Sequence, residues 1–518
     1  MNRPLPLARP LAAAAAALLL HLAPVSAAAQ QPAEGGAVAL PAASPPLPAD
    51  HWAVRAADRA EALGLAPGYM PAQRAVPRAA VGEALRRAAL ATGARDPGTA
   101  ALARGWWERF VEEFPEADGA ERGAAAMLGS SIGGGYERRG GGAEPGAGLF
   151  ERRTGPTALP LHSTLVLTST VAGALTPSLA AVAEPRLSEE GVRVERWDVT
   201  AGWGPVALSV GEEPVGYGPA AGGGIVLSGA RALPRAQVET TRPLALPGFL
   251  RRLGPVSLHT FLTRLDERRH PGDPYLWGMR AALRPHPRLT VGMNRASIFG
   301  GDSVATEIGP GSVGRMLLGM LSDDFENQVV AAEFRYRLPT ERVLPLTLYL
   351  EWGADDGAGA WWDVPARVLG AYVPAVPGAP AVAAGAEYTS FATLCCGNPG
   401  WYTHAAQPGG WAAEGATLGH PLGGEGREFL LYSHADMADA RLRLDGRAFR
   451  RERGREGYDL AVRAGNLFAP ERAGWSTGAS LAAHWRAAPR TELRLRALRE
   501  VGSEWRSHEL DLNASVLF

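Results

Sequence analysis

The chain has 518 residues, a formal net charge of −1 and a pI near 6.9, so no global basic field draws it to nucleic acid. Its 46% hydrophobic content and mean hydropathy of −0.08 are too polar for a helical membrane protein. Beyond the first thirty residues no apolar run approaches the roughly 20 residues of a spanning helix, a test that barrels escape because lipid-facing and lumen-facing residues alternate.

Arg3 and Arg9 precede the apolar stretch Leu11 to Leu22, followed by small residues through Ala27-Ala28-Ala29-Gln30. This predicts a secretory signal peptide over 1–29, cleaved after Ala29, with no Cys following it to carry a lipid. Residues 30–50, rich in Ala, Pro and Gln, read as a linker. Residues 51–118 are expected to form a helical periplasmic or plug region. Ala and Leu recur at helical spacing from His51 to Leu63 before Gly64 and Pro67, and a second amphipathic run starts at Pro77. A third helical piece covers roughly Pro97 to Phe114. This layout has a weak likeness to an S-layer homology module, the lesser reading.

From 119 to 518 the period is two, which predicts an antiparallel outer-membrane β-barrel. Phe334 and Tyr336 alternate with Arg335 and Arg337; Leu442 and Leu444 alternate with Arg443 and Asp445; Leu493 and Leu495 alternate with Arg494 and Arg496. An outward Arg at mid-membrane costs roughly 2–4 kcal/mol, so these Arg should line a wet lumen. Val192 and Val194 are read on one face with Arg196 and Asp198. At about 20 residues per strand and connection, the region holds on the order of 18 strands. The last strand carries Leu510, Leu512, Ala514, Val516 and Phe518 on one face, the pattern that the barrel assembly machinery recognises in outer-membrane proteins.

The run Gly211-Glu212-Glu213-Pro214-Val215-Gly216-Tyr217-Gly218-Pro219, followed by Gly224-Ile225-Val226-Leu227-Ser228, resembles the capsule assembly protein Wzi family. Arg288-Leu289-Thr290-Val291-Gly292-Met293-Asn294-Arg295, Phe299-Gly300-Gly301, Asp323-Asp324, Tyr402-Thr403-His404 and Leu418-Gly419-His420-Pro421 extend the resemblance. Glu212, Val215-Gly216-Tyr217 and Gly229 depart from the family pattern. The resemblance implies a barrel of about eighteen strands, plugged by helices on the periplasmic side, that attaches capsular polysaccharide as a lectin and not as an enzyme.

Sugar sites pair aromatic faces with planar polar groups. The longest irregular stretches, Asp355 to Val382 and Leu394 to Gly426, supply these residue types. The first offers Asp355, Asp356, Trp361, Trp362, Asp363 and Tyr372; the second offers Trp401, Tyr402 and His404. The short turn at Leu338-Pro339 puts the loop after Asp355 outside, whereas strand parity leaves the second loop on either side. The bland alternative is a self-packed lid. Asp355-Asp356 resembles a calcium pair, but two carboxylates do not make a site, so no metal or cofactor is expected. Cys395 and Cys396 are either a vicinal disulfide or incidental thiols.

His162-Ser163 and Ser433-His434 lack a third partner, so catalysis is not expected. The expected partners are capsular or exopolysaccharide, outer-membrane lipid and the assembly machinery through Phe518. Two rivals remain: a porin-like channel for small anionic solutes, and a cell-wall anchor using the helices.

Overall fold

Alternation of apolar and polar residues from Gly129 onward gives strands that each bond to the next until the last bonds to the first. The computed structural model describes residues 41–91, 97–118, 129–141, 163–188, 191–265, 270–302, 304, 308–317, 326–355, 365–391, 401–413, 416–437, 439–454, 474–503 and 505–517. The barrel and its helices belong to one compact unit, Ala42–Phe518. The expected signal peptide, Cys395, Cys396 and Phe518 lie outside the described residues.

The barrel strands are β1 (Gly129–Gly141), β2 (Ser163–Thr176), β3 (Leu179–Ser188), β4 (Gly191–Trp203), β5 (Val206–Gly216), β6 (Ser228–Thr240), β7 (Pro255–Arg264), β8 (Tyr275–His286) and β9 (Leu289–Phe299). They continue as β10 (Glu326–Arg337), β11 (Thr347–Asp355), β12 (Ala366–Val373), β13 (Val382–Phe391), β14 (Gly426–Met437), β15 (Leu442–Arg453), β16 (Gly474–Ala488), β17 (Thr491–Gly502) and β18 (Arg506–Leu517). These 18 strands form a closed antiparallel barrel of the outer-membrane type, the seam made by Leu512 of β18 opposite Tyr136 of β1. Closure leaves no free edge.

Side chains sort by face as the alternation requires. Phe334, Leu348, Leu369, Phe429, Leu481 and Leu495 stand exposed on the outer wall, Leu481 at 52%, whereas Arg443 on the inner wall is 1% accessible. An apolar skin of this extent belongs in lipid. The inward arginines do not line an open lumen, however. Arg196 meets Glu184 at 2.6 Å and Glu213 at 2.9 Å, and Arg451 meets Glu428 at 2.8 Å. One strand departs from its sequence reading. Glu184 pairs with Arg196 but Pro185 with Val194, so Glu195 is a bulge residue and the faces switch there. Val192 and Val194 point outward, while Arg196 and Asp198 point in.

Helices α1 (Trp52–Ala62), α2 (Arg78–Leu90) and α3 (Pro97–Glu113) pack on one another through Ala56, Ala60, Val81, Leu85, Trp106 and Phe110. The His51 side chain caps α1 by accepting from the Ala53 N–H at 3.2 Å. The chain leaves α1 through Gly64 at φ 74°, a left-handed residue that favours glycine. Before α1, the end of the linker is held too: Pro46–Leu47 pairs with Val76–Pro77, and the Ala43 N–H donates to the Pro177 carbonyl at 3.1 Å.

The helices close the end of the barrel where the strand turns are short. Arg59 of α1 is fully buried and donates to the carbonyls of Pro374 (2.6 Å), Pro380 (2.5 Å) and Ala381 (3.1 Å), and to Asp436 at 2.8 Å. Trp106 stacks under its guanidinium at 5.3 Å and also donates to Asp436. From the wall, Arg280 donates to the Pro71 and Ala72 carbonyls, and Arg284 to those of Pro67 and Tyr69. Glu61 bridges back to Arg284 at 3.1 Å and Arg335 at 2.9 Å.

Candidate functional site

At the opposite end, two long connections fold inward to make a lid. The first, residues 217–227 between β5 and β6, buries Tyr217, Ile225, Val226 and Leu227 in the core, while its glycine-rich middle, 218–224, is held through its backbone. Glu351 on β11 accepts from the Ala220 N–H (3.2 Å) and the Ile225 N–H (3.0 Å). Glu387 on β13 accepts from Ala221 (2.7 Å) and Gly222 (2.9 Å) and from the Tyr349 hydroxyl (2.8 Å). Each carboxyl thereby satisfies two loop amides that lie outside any strand ladder. A Cβ at Gly218, which has φ +78°, would stand 1.9 Å from the Glu351 carboxylate; this is why the run Gly216-Tyr217-Gly218-Pro219 reads as it does. From the helix end, Arg74 reaches the Gly218 and Ala220 carbonyls, so the two stoppers touch inside the barrel.

The second connection lies between β13 and β14, and leaves the same end as the loop after β11. Its residues 401–413 and 416–425 cover the first. The Trp411 indole donates to the Val226 carbonyl at 2.8 Å. The Tyr402 hydroxyl donates to the Ile225 carbonyl and accepts from the His420 N–H at 2.9 Å. Trp401, Tyr402, Trp411 and Phe391 form an aromatic cluster with ring centroids 5.2 to 6.4 Å apart. His420 is enclosed beside them. Burial, with Arg451, Arg74 and Arg453 nearby, pushes its pKa down to about 3 and keeps it neutral.

Between lid and helices lies a chamber of about 340 Å³, lined by Asp58, Arg74, Arg335, Tyr349, Tyr372, Tyr432 and His434 among others. The Tyr372 hydroxyl and His434 share a hydrogen bond of 2.9 Å, and the Tyr372 ring stacks on Tyr432 at 6.0 Å.

The sequence candidates therefore separate. Asp355 is 1% accessible and accepts from the Tyr402 N–H at 2.9 Å. Trp401 and Tyr402 are buried at 1% and 4%. These three hold the lid from behind. The stretch Asp355 to Val382 is not one loop: Ala366–Val373 is strand β12, because Arg367, Leu369 and Ala371 alternate with Val368, Gly370 and Tyr372. The real turn is the Pro-rich 374–381 at the helix end. Tyr372 thus faces the chamber and not the loop surface. Asp356, Trp361, Trp362 and Asp363 lie outside the described residues.

His404 is partly exposed on the outer face of the lid, where its Nδ1 accepts from the Ala406 N–H at 3.2 Å. Around it the lid meets the β7–β8 connection, the Gly409 N–H donating to the His270 carbonyl at 2.6 Å. That connection adds an exposed ion pair, Arg264 with Asp273 at 2.8 Å, and Asp302 accepts from the Gly272 N–H at 2.9 Å. Sequence reasoning missed these residues; the run of charges around His270 between two strands was the available signal.

Among solved structures, the chain is similar to Wzi of Escherichia coli, described as an outer membrane protein involved in group 1 capsule assembly and a carbohydrate-binding β-barrel. The identity is 14%, the match covers 89% of this chain and 98% of that one, and the TM-score is 0.65. It is also similar to Pseudomonas aeruginosa OprD, at 11% identity over 77% of this chain and 98% of that one, with a TM-score of 0.43. A comparison with curated protein sequences gives no match. The family model for capsule assembly protein Wzi matches residues 158–505, well over half of the sequence, and the chain belongs to that family.

Proposed function

We propose that this barrel binds polysaccharide at its loop end and helps attach or assemble capsule or exopolysaccharide at the outer-membrane surface. The observation that carries this reading, beside family membership, is the double stopper. A lumen closed by α1–α3 at one end and by residues 217–227 and 401–425 at the other is built to hold, not to pass. An anion channel needs a continuous wet path, and here the inward arginines are spent on carboxylates and carbonyls. The reading assigns no catalytic step and no cofactor or metal.

The glycan face comprises His404, Arg264, Asp273 and Asp302; the sequence candidates Asp356, Trp361, Trp362 and Asp363 are proposed as further sugar contacts. Asp355, Trp401 and Tyr402 act one layer below by fixing that face, and Tyr372 lines the chamber. Phe518, at the end of the outward row Leu510, Leu512, Ala514 and Val516, serves delivery to the barrel assembly machinery.

The test is the partition of polysaccharide between cells and medium in a deletion strain and in one re-expressing the protein. The reading expects constant total polysaccharide with a shift into the medium on deletion, reversed by re-expression. An unchanged partition sinks it, and steady open steps from the purified barrel in planar bilayers would favour the channel.

A further inference from the structure

The outer wall carries charges that the lipid belt should not tolerate. On β14–β18 the outward row contains Arg427, Arg450, Arg499 and Arg506, all exposed and all near the lid end of their strands. Their outward direction follows from the pleat: Arg427 shares its face with Phe429 and Leu431, and Arg499 shares its face with Leu495 and Val501, all exposed. Arg450, Thr477, Val501 and Arg506 stand in one cross-strand row. At about 4.8 Å per strand, its two arginines are about 14 Å apart. Arg499 and His508 form the row below, and Arg427 stands above. Trp475 lies under both Arg450 (4.7 Å) and Arg427 (5.2 Å), which fixes those two guanidinium planes.

Among the described residues of these five strands, Glu452 is the one outward carboxylate, and it bonds Arg427 at 2.7 Å. The opposite wall treats the same problem differently. There the outward Arg295 is covered by a short helix, α4 (Pro310–Leu317), and donates to the Met316 carbonyl at 2.6 Å. At Arg295 the chain supplies the acceptor itself; among the described residues of β14–β18 only Glu452 does so, and the membrane headgroups can supply the rest. An outward arginine is tolerable only near the headgroups, where its cost falls to roughly 0–1 kcal/mol. Immediately toward the mid-membrane lie Leu431, Leu481, Leu495 and Leu512, a wall for acyl chains.

We infer that Arg450, Arg499 and Arg506, with Trp475 and Arg427 beside them, bind the headgroup of a multiply phosphorylated glycolipid of the outer leaflet. Guanidinium forks match phosphate geometry. One phosphodiester cannot serve arginines spread over about 14 Å, so the headgroup must be broad and carry more than one phosphate. This site is independent of the polysaccharide reading, since it faces lipid and not the lid.

The test uses the full-length folded barrel in mild detergent, with bound lipid counted by native mass spectrometry. Three probes are offered: a bis-phosphorylated disaccharide lipid, its dephosphorylated form, and phosphatidylglycerol. The wild-type barrel is expected to retain the bis-phosphorylated lipid about tenfold over the other two, and the triple variant R450S/R499S/R506S to lose that preference. Arg342→Ser, at the turn end, should keep it. Heat-modifiable migration on gels reports folding; should the triple variant not fold, R499S alone is read, with a smaller loss. Equal retention by wild type and variant overturns the proposal, and so does equal retention of phosphatidylglycerol.

Discussion

The two ends of the barrel are closed by different chemistry. At the helix end, long cations from both sides grip carbonyl oxygens: Arg59 reaches three from α1, Arg280 and Arg284 take four from the wall, and Arg486 donates to the Arg109 carbonyl at 3.2 Å. At the lid end the direction reverses. Wall carboxylates accept from loop amides, and buried aromatic rings fill what remains. The difference follows from what each stopper offers. A helical bundle with tight loops presents carbonyls at its loops and C-termini, whereas a glycine-rich loop in a nest presents N–H groups. A barrel wall therefore needs arginines facing the one and glutamates facing the other.

The sharpest way to break this contrast is to remove the two acceptors of the lid. Leaving a buried amide without its acceptor costs about 1–3 kcal/mol, and four amides lose theirs in E351A/E387A. The expected outcome is a folded barrel whose lid is released, seen as faster hydrogen exchange and protease cleavage of residues 217–227 with the helix end unchanged. A double variant whose lid stays protected would mean that the aromatic layer alone holds it.

At the other end Arg59→Met leaves Asp436 buried beside Arg443 without its nearest partner, and empties three carbonyls. Removing one member of a buried pair costs about 3–5 kcal/mol. The expectation is protease sensitivity of α1–α3 with an intact barrel. A smaller loss, about 1–2 kcal/mol, is expected for Tyr402→Phe, which keeps the ring but loses the link between Ile225 and His420. It should raise hydrogen exchange of residues 217–227 and leave the helices unchanged.

Much of the barrel was legible in the sequence because membrane strands obey one rule twice per pleat. Leu442, Leu444, Leu493 and Leu495 are outward, and Arg443, Arg494 and Arg496 inward, as alternation requires. Alternation fails where the chain inserts one residue. Glu195 shifts the register, and nothing local distinguishes it from its neighbours. The site was less legible because composition does not encode depth. Trp401 and Tyr402 have the right chemistry for a sugar platform, yet both sit beneath the surface, packed against Phe391 with the Tyr402 hydroxyl on the Ile225 carbonyl of the loop below. Tyr372 was misplaced for a simpler reason: the small residues Ala366, Gly370 and Ala371 disguise a strand as a loop.

The last prediction concerns pH, to which the two stoppers should respond in opposite senses. In α1, burial raises Asp58 to about 6, with Arg335 partly opposing it. A carboxyl raised above its unfolded value of 3.8 favours the folded helix end at low pH, and that contribution is lost as pH rises through about 6. His420 in the lid is depressed to about 3 against an unfolded value of 6.5. Its contribution is complete above pH 6.5 and drains away as pH falls toward 3. Glu113 does not blur the comparison in the window between. Burial would raise it, but His51, Arg109 and the Trp52 hydrogen bond pull it to about 2, so its own loss falls below pH 4.5. Hydrogen exchange at pH 5 and pH 7 should thus show residues 401–424 better protected at pH 7 and α1 better protected at pH 5. In Asp58→Asn the helix end should lose its pH dependence, while in His420→Gln the lid should lose its own. Parallel trends at the two ends would show that the stoppers unfold as one unit through the Arg74 contact, and not separately.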